Sequence, residues 1–301
     1  MSENKPAINW FPGHMAKTRR MMEENIRLVD VVVEIVDSRV PASSKNPYLD
    51  KLWSRRPRVI VMGKADLADE RVNQAWKAWY QKQGYEVVMA DILHGKGIKE
   101  IPKASARLLA DKRRQQAAKG LKPQPVRMMI TGIPNVGKST LINQLAHRSD
   151  AAKTGNKPGV TKAKQWIRIG EDALLLDTPG ILWPKFEDQS IGEKLAYIGS
   201  ISDDILDIYT ISANLVKKIA EEYPKSLTDR YQIDPEILSL TGDHLLEAIG
   251  RKRGHLKPGG VVDVDRTAVM VLDEFRNGKI GRISLEKPET TEKDAFNGKE
   301  N

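Results

Sequence analysis

The 301-residue chain contains no cysteine, which excludes a disulfide framework and any thiolate metal site. No apolar run approaches the ~20 residues of a membrane span, and the polar stretch MSENKPAINW has no feature of a secretory signal. A cytoplasmic protein is expected. His14, His94, His147, His244 and His255 fall at no ligand spacing, so a zinc site is not indicated, and no internal repeat is found. Acidic charge is in deficit, with 40 Asp+Glu against 49 Lys+Arg and a formal net charge of +9. That excess favours a polyanionic partner, nucleic acid first among them.

Against these absences stands one strong motif. Residues 132–139 read GIPNVGKS, a full match to the phosphate-binding loop G-x-x-x-x-G-K-[ST], between the strand-like VRMMIT and the helix-like TLINQLAH. The backbone N–H groups of such a loop, here those of Asn135, Val136 and Gly137 through to Thr140 with Pro134 beside them, curl around a polyphosphate. Lys138 reaches the β- and γ-phosphates, and the Ser139 hydroxyl is placed to hold Mg²⁺. The chain is expected to bind a nucleoside triphosphate.

Two further segments narrow the nucleotide. DTPG at 177–180 follows the apolar strand ALLL and so lies at a strand's carboxyl end, where ligands of open α/β sheets gather. Asp177 there supports the Mg²⁺ shell and the Gly180 N–H meets a γ-phosphate. By itself KPGVTK at 157–162 reads as a turn; its place between GKS and DTPG makes Thr161 a second hydroxyl ligand for the metal.

The order of the parts is unusual. A GTPase reads guanine with Asn-Lys-x-Asp at the end of a later strand, yet no such strand follows DTPG. Upstream, RVIVM runs into GKAD at 63–66, and YEVVMAD ends at Asp91, which places Gly63, Lys64, Asp66 and Asp91 in candidate base-reading loops. A sheet of 126–131, 165–169 and 173–177 alone would leave an exposed edge. Adding 30–37, 58–63 and 85–90 completes a covered, mostly parallel, six-stranded α/β sheet. The expected fold is a circularly permuted P-loop GTPase domain.

With WFPGHMAK at 10–17, VDSRVPASSKNP at 36–47, GKAD, GIPNVGKST, KPGVTK and DTPGILWP in this order, the chain resembles the circularly permuted bacterial GTPases that assist large-subunit ribosome assembly. The resemblance implies GTP and GDP as ligands and docking on a late precursor of the large subunit, with release after hydrolysis. It implies contact with rRNA through a helical domain, and His14 as the catalytic group; without the resemblance, a His near the terminus also reads as a surface or RNA-contacting residue. Asn135 resembles the type that recruits K⁺ beside the phosphates, although an Asn after Pro134 also closes a turn. The partner expected is therefore the precursor subunit and its rRNA, with no membrane and no DNA, and the protein is expected to act as a monomer.

Two positions depart from GTPase patterns. Gly63 stands where the family has Asn, leaving Asp66 to accept from the guanine N1 and N2 and Lys64 to lay its stem on the purine face. Ile181, where many small GTPases place a water-orienting Gln, cannot position water, so another group must orient the nucleophile.

Beyond about residue 190 strand signals give way to helical periodicity in IGEKLAYIGSI, TISANLVKKIAEEY, PEILSLTGDHLLEAIG and RTAVMVLDEFRNG. The expected division is a GTPase domain over 1–185, a small all-α RNA-binding domain over 186–285 and a disordered polar tail over 286–301. GRKRGHLKPGG at 250–260 offers a basic, glycine-flanked contact for a phosphate backbone. Residues 110–125, ADKRRQQAAKGLKPQP, continue a polar helix into a Pro/Gly linker, the place where an ordinary gene order would have been cut and rejoined. Two other classes of function remain open: a ribosome-bound nucleotide switch or scaffold with negligible hydrolysis, and an unrelated P-loop kinase or ATPase, against which DTPG and GKAD argue.

Overall fold

The computed structural model describes residues 20, 23–47, 56–122, 124–147, 166–170, 172–176 and 188–288. Strand β1 (Val31–Asp37) is buried along its whole length, which an apolar run of β-branched residues needs when both sheet faces are covered. It pairs in parallel with β2 (Arg58–Gly63) on one side and β4 (Val126–Gly132) on the other. Adding β3 (Glu86–Ala90), β5 (Trp166–Ile169) and β6 (Ala173–Leu176) gives the strand order β3-β2-β1-β4-β6-β5, with only β5 antiparallel. All six strands expected from the sequence are present, with ends moved by no more than one residue.

Alternation along the strands sends side chains to two different cores. Val36, Ile60, Met62 and Val87 meet Trp76 and Tyr80, which lie four residues apart on one face of α1 (Glu70–Lys82). Asp69 starts that helix by accepting from the N–H groups of Arg71 and Val72. Ile35, Val59 and Val61 face the other way, where Ile101 and Ala104 of α2 (Glu100–Leu108) cover them. Helix α3 (Ala110–Ala118) buries no residue, and α4 (Lys138–His147) follows the phosphate loop.

The described residues from 188 onward are helical: α5 (Gln189–Tyr197), α6 (Ile208–Glu222), α7 (Pro224–Tyr231), α8 (Gly242–Lys252) and α9 (Val264–Arg276). Asp188, Asp207 and Asp263 cap α5, α6 and α9 through their carboxylates. Helix α6 is central, with α8 and α9 packed on it, and the Ser212 hydroxyl donates to Ala268 O at 2.8 Å. One apolar core continues without a break from the α2 face of the sheet into these helices.

After α9 the chain returns to the sheet. The Ile283 N–H donates to Leu67 O (3.0 Å), the Leu285 N–H to Arg39 O (2.8 Å), and Arg282 donates to Ala68 O (2.7 Å) and Ala65 O (3.1 Å). Glu286, which the sequence reading puts at the start of a disordered tail, is held firmly instead. Its carboxylate accepts from the N–H groups of Ala42 (2.8 Å) and Ser43 (3.1 Å) and from the Ser43 hydroxyl, and pairs with Lys194 at 3.1 Å, while its carbonyl accepts from the Trp76 indole at 3.1 Å. The cause is Ser43, which is buried and whose N–H and hydroxyl need an acceptor there, while the Ala42 N–H beside it stays open to solvent. Residues 289–301 of that stretch lie outside the described residues. Glu286→Ala strands the buried Ser43 donors, while water can replace the partner of Ala42, and is expected to lower the unfolding free energy by about 1–3 kcal/mol, read as a lower urea midpoint at unchanged slope.

Candidate functional site

Parallel pairing brings the carboxyl ends of β1, β2, β3 and β4 to one edge, with Asp37 opposite Gly63, Gly63 opposite Ala90 and Ile35 opposite Gly132. The phosphate loop leaves β4 at that edge. Gly132 has φ 151°, and a Cβ there would stand 2.7 Å from Ile35 O; Gly137 has φ 106°. No other residue type fits both the turn and the close strand behind it. Val136, 1% exposed, anchors the loop in the core, while Pro134 and Asn135 sit over it.

Helix α4 begins at Lys138, and its first N–H back to the loop is Leu141 to Gly137 O at 2.9 Å. The first turn of α4, with the backbone of Lys138, Ser139 and Thr140, thus lies at the positive end of the helix. Lys138 is buried and its ammonium donates to Ile133 O at 2.6 Å, so the side chain lies back along the loop it would leave to meet a phosphate. Ser139 and Thr140 are exposed in the first helical turn. These donors fit a polyphosphate, and an exposed hydroxyl directly after the loop lysine fits a Mg²⁺ ligand.

The loops expected to read the base stand beside it. Lys64 (φ 55°) places its ammonium 3.1 Å from the Asp37 carboxylate and 3.4 Å from Asn135 O. Asp66 is exposed, next to buried Asp91 and to His94, whose ring and N–H both engage the Asp91 carboxylate at 2.9–3.0 Å. Gln144 of α4 donates to Leu93 O at 3.2 Å, which closes the 91–94 loop against the phosphate-loop helix. Gly63 is the last residue of β2; a Cβ there would lie 3.1 Å from Ile92 Cδ1 and 3.3 Å from Ile35 Cγ2. Ile92 thus takes up part of the room an Asn side chain would need.

Asn135 is already engaged. Its side-chain amide donates to Gly199 O at 2.7 Å, and the Ser200 hydroxyl donates to Pro134 O at 3.0 Å, so residues after α5 grip the phosphate loop. In this form the Asn135 amide serves the helical unit. His14, Thr161, Asp177 and Gly180, and with them Ile181, lie outside the described residues. His255, read from the sequence as part of an RNA-facing loop, is buried with Nδ1 3.1 Å from the Thr267 hydroxyl. Burial and the neighbouring Arg266 push its pKa down, favouring the neutral ring. Arg253 in the same stretch stacks 5.2 Å over the Tyr231 ring and donates to Arg230 O, so it serves the helical unit too.

The residues that sequence reasoning passed over are Asp37 and Arg39. Both are fully buried, and the guanidinium of Arg39 grips Asp37 through Nε at 2.9 Å and Nη2 at 2.8 Å. Burial pushes the Asp37 carboxyl up, but the Arg39 and Lys64 cations and the Arg39 hydrogen bonds outweigh it and hold the group well below the usual carboxylate range. The available signal was position: D-S-R follows the central strand directly, at the same edge as the phosphate loop.

Two outcomes follow. A depressed folded-state pKa gives stability that is present above the unfolded pKa and lost as pH falls. Urea stability should therefore drop as pH is lowered below about 5, and Asp37→Asn should flatten that slope. Gly63→Asn should tighten GDP about fivefold, the worth of one added hydrogen bond, with Ile92→Val on that background tightening it further; an unchanged or weaker Kd in both would refute the assignment.

Comparisons with known proteins agree with this geometry. The family model described as "50S ribosome-binding GTPase" matches residues 127–239. Ribosome biogenesis GTPase A of Bacillus cereus is 46% identical over 284 residues, covering 94% of each chain, and that of Priestia megaterium is 47% identical over 288 residues, covering 95% of this chain and 98% of its own. A GDP-bound structure of YlqF matches with a TM-score of 0.63 at 28% identity over 90% of this chain and all of that one, and a GNP-bound YlqF from T. maritima with 0.61 at 28% over 91% and all of that one. Strands β1, β2 and β3 precede the phosphate loop in the chain yet lie beside it in the sheet, which is the permuted order itself. The chain belongs to the ribosome biogenesis GTPase A family, GTP-hydrolysing proteins of ribosome biogenesis with a circularly permuted P-loop GTPase fold.

Proposed function

We propose that this GTPase acts in late maturation of the bacterial large ribosomal subunit, binding the precursor and its rRNA in the GTP state and leaving after hydrolysis. The observation that carries the reading is the direct grip of the helical unit on the phosphate loop, Asn135 to Gly199 O and Ser200 to Pro134 O. A contact placed there feels whether phosphates occupy the loop. The name of the matching family model, a 50S ribosome-binding GTPase, supports the large subunit as partner.

In this reading residues 1–185 hold the nucleotide and 186–285 form the helical RNA-binding domain. Lys64 and Asp66 hold the guanine, Asp91 and its loop close beside them, and Gly63 contributes backbone alone. The N–H groups of 135–140 and the Lys138 ammonium hold the phosphates beside Pro134, and Gly180 meets the γ-phosphate. Ser139, Thr161 and Asp177 hold Mg²⁺, which when bound offsets charge on the phosphate oxygens. Asn135, once free of Gly199, would hold K⁺, which would supply positive charge beside the phosphates. His14 orients the attacking water once RNA docks, the role that Ile181 cannot fill. Loss of the γ-phosphate then releases the ordered loops, and affinity for the subunit falls. The protein works as a cytoplasmic monomer, consistent with the absence, among the described residues, of any helix long and apolar enough to cross a membrane.

The deciding measurement is steady-state GTP hydrolysis with and without isolated large subunits, in K⁺ and in Na⁺. Turnover is expected to rise with subunits and to be faster in K⁺, and His14→Ala to cut the stimulated rate about a hundredfold, the scale of a lost general base. Stimulation that survives His14→Ala removes His14 from catalysis; no stimulation removes the large subunit as the trigger.

A further inference from the structure

Arg39 has an arrangement that strand-end chemistry alone does not require. Two of its nitrogens hold Asp37, and the third, Nη1, donates across the molecule to the carbonyls of Phe275 (3.2 Å) and Arg276 (3.3 Å). Those carbonyls end α9, where a helix leaves acceptors unsatisfied and carries its negative pole. The guanidinium also lies 5.1 Å over the Phe275 ring. All three nitrogens of this buried guanidinium are therefore used, two by the strand end that supports the site and one by the helical unit.

Asp37 passes that hold onward. Its carboxylate takes Lys64 as well as Arg39, and Lys64 is the part of this cluster that reaches the open edge, with its side chain 27% exposed. Gly63 offers the loop that starts at Lys64 no side chain; besides Lys64 itself, the loop is held by Ser38 N–H to Gly63 O (2.9 Å), by Ala65 N–H to Ala90 O (3.2 Å), and by Asn73 and Arg282, which both donate to Ala65 O. The other end of the connection also returns to the site. Arg276 donates to Ala196 O (2.8 Å) and Tyr197 O (3.2 Å) and pairs with Asp203 (2.8 Å), fixing the end of α5. Gly199, two residues on, accepts from Asn135, whose own carbonyl accepts from Lys64.

We infer that Arg39 is a positioning residue for nucleotide recognition: acting through Asp37 it sets Lys64, and through the end of α9 it makes the helical unit sense the nucleotide. The links form a closed ring, from α9 through Arg39, Asp37, Lys64, Asn135 and Gly199 back to Arg276 of α9. A nucleotide that draws Lys64 or Asn135 toward itself must alter the ring, and the nearest rigid body it can load is α9. A guanidinium is needed because only a planar fork serves a carboxylate and two carbonyls at once; a lysine ammonium cannot. The inference rests on the reading of Lys64–Asp66 as the guanine loop.

The test uses the full-length protein with GDP as probe. In wild type, GDP should slow hydrogen exchange of the Asn277 and Gly278 amides at the end of α9 more than that of Arg253 and Gly254 at the end of α8, a helix end outside the ring. Arg39→Lys should remove that difference and raise the GDP Kd about tenfold, the loss of one charge-assisted bond. Equal protection of both helix ends in wild type overturns the coupling without any variant, so a variant that fails to fold does not rescue it. A folded Arg39→Lys with unchanged Kd overturns the positioning role. Asp66→Ala separates the two levels: if it binds GDP normally, the guanine-loop reading falls and this inference with it. If Asp66→Ala weakens GDP and Arg39→Lys does not, only the inference falls.

Discussion

Parallel pairing of β1 with both β2 and β4 decides where everything else must be. A strand with neighbours running its own way sends every connection out at the same edge, so the loops after Asp37, Gly63, Ala90 and Gly132 meet although up to about a hundred residues of chain lie between them. Neither the phosphate loop nor the loops after β2 and β3 could be moved to another edge without breaking that pairing. Chain order is irrelevant to this geometry, which is why a permuted sequence builds the same site.

The same constraint explains the buried charge. Asp37 ends a strand with no solvent on either face, and an unpaired carboxylate there would be far too costly to bury. Arg39 and Lys64 offset that cost in different ways, one by a fixed fork and the other by a mobile stem. Replacing such a pair with apolar side chains often leaves a fold equally stable, so stability alone does not account for a buried pair at this edge.

Local pattern made much of this legible. The strands showed themselves as apolar runs, and the phosphate loop as a full match to its spacing between a strand-like and a helix-like run. What stayed hidden depends on partners far along the chain. Arg39 and Phe275 are 236 positions apart, and Glu286 finds Ser43 at a separation of 243; a charged residue in a polar stretch gives no sign that it will be buried. His255 misled for the same reason, since a His amid basic residues resembles a nucleic-acid contact until Thr267 is folded against it. Gly63 was legible as a departure, while Ile92 filling the space beside it was not.

Helix α3 stands apart from these dependencies. It buries nothing, and its ties to the rest run through surface groups such as Lys112 with Asp30 and Arg113 with Gln124 O. The two halves of the nucleotide site are thus joined in the chain by a segment that the core does not read. Closing a longer loop costs entropy that grows only with the logarithm of its length, so the spacing between the halves is nearly free to vary. A gene rearrangement that reversed their order needed a splice tolerant of imprecise ends, and this solvent-washed helix is the kind of seam that tolerates them.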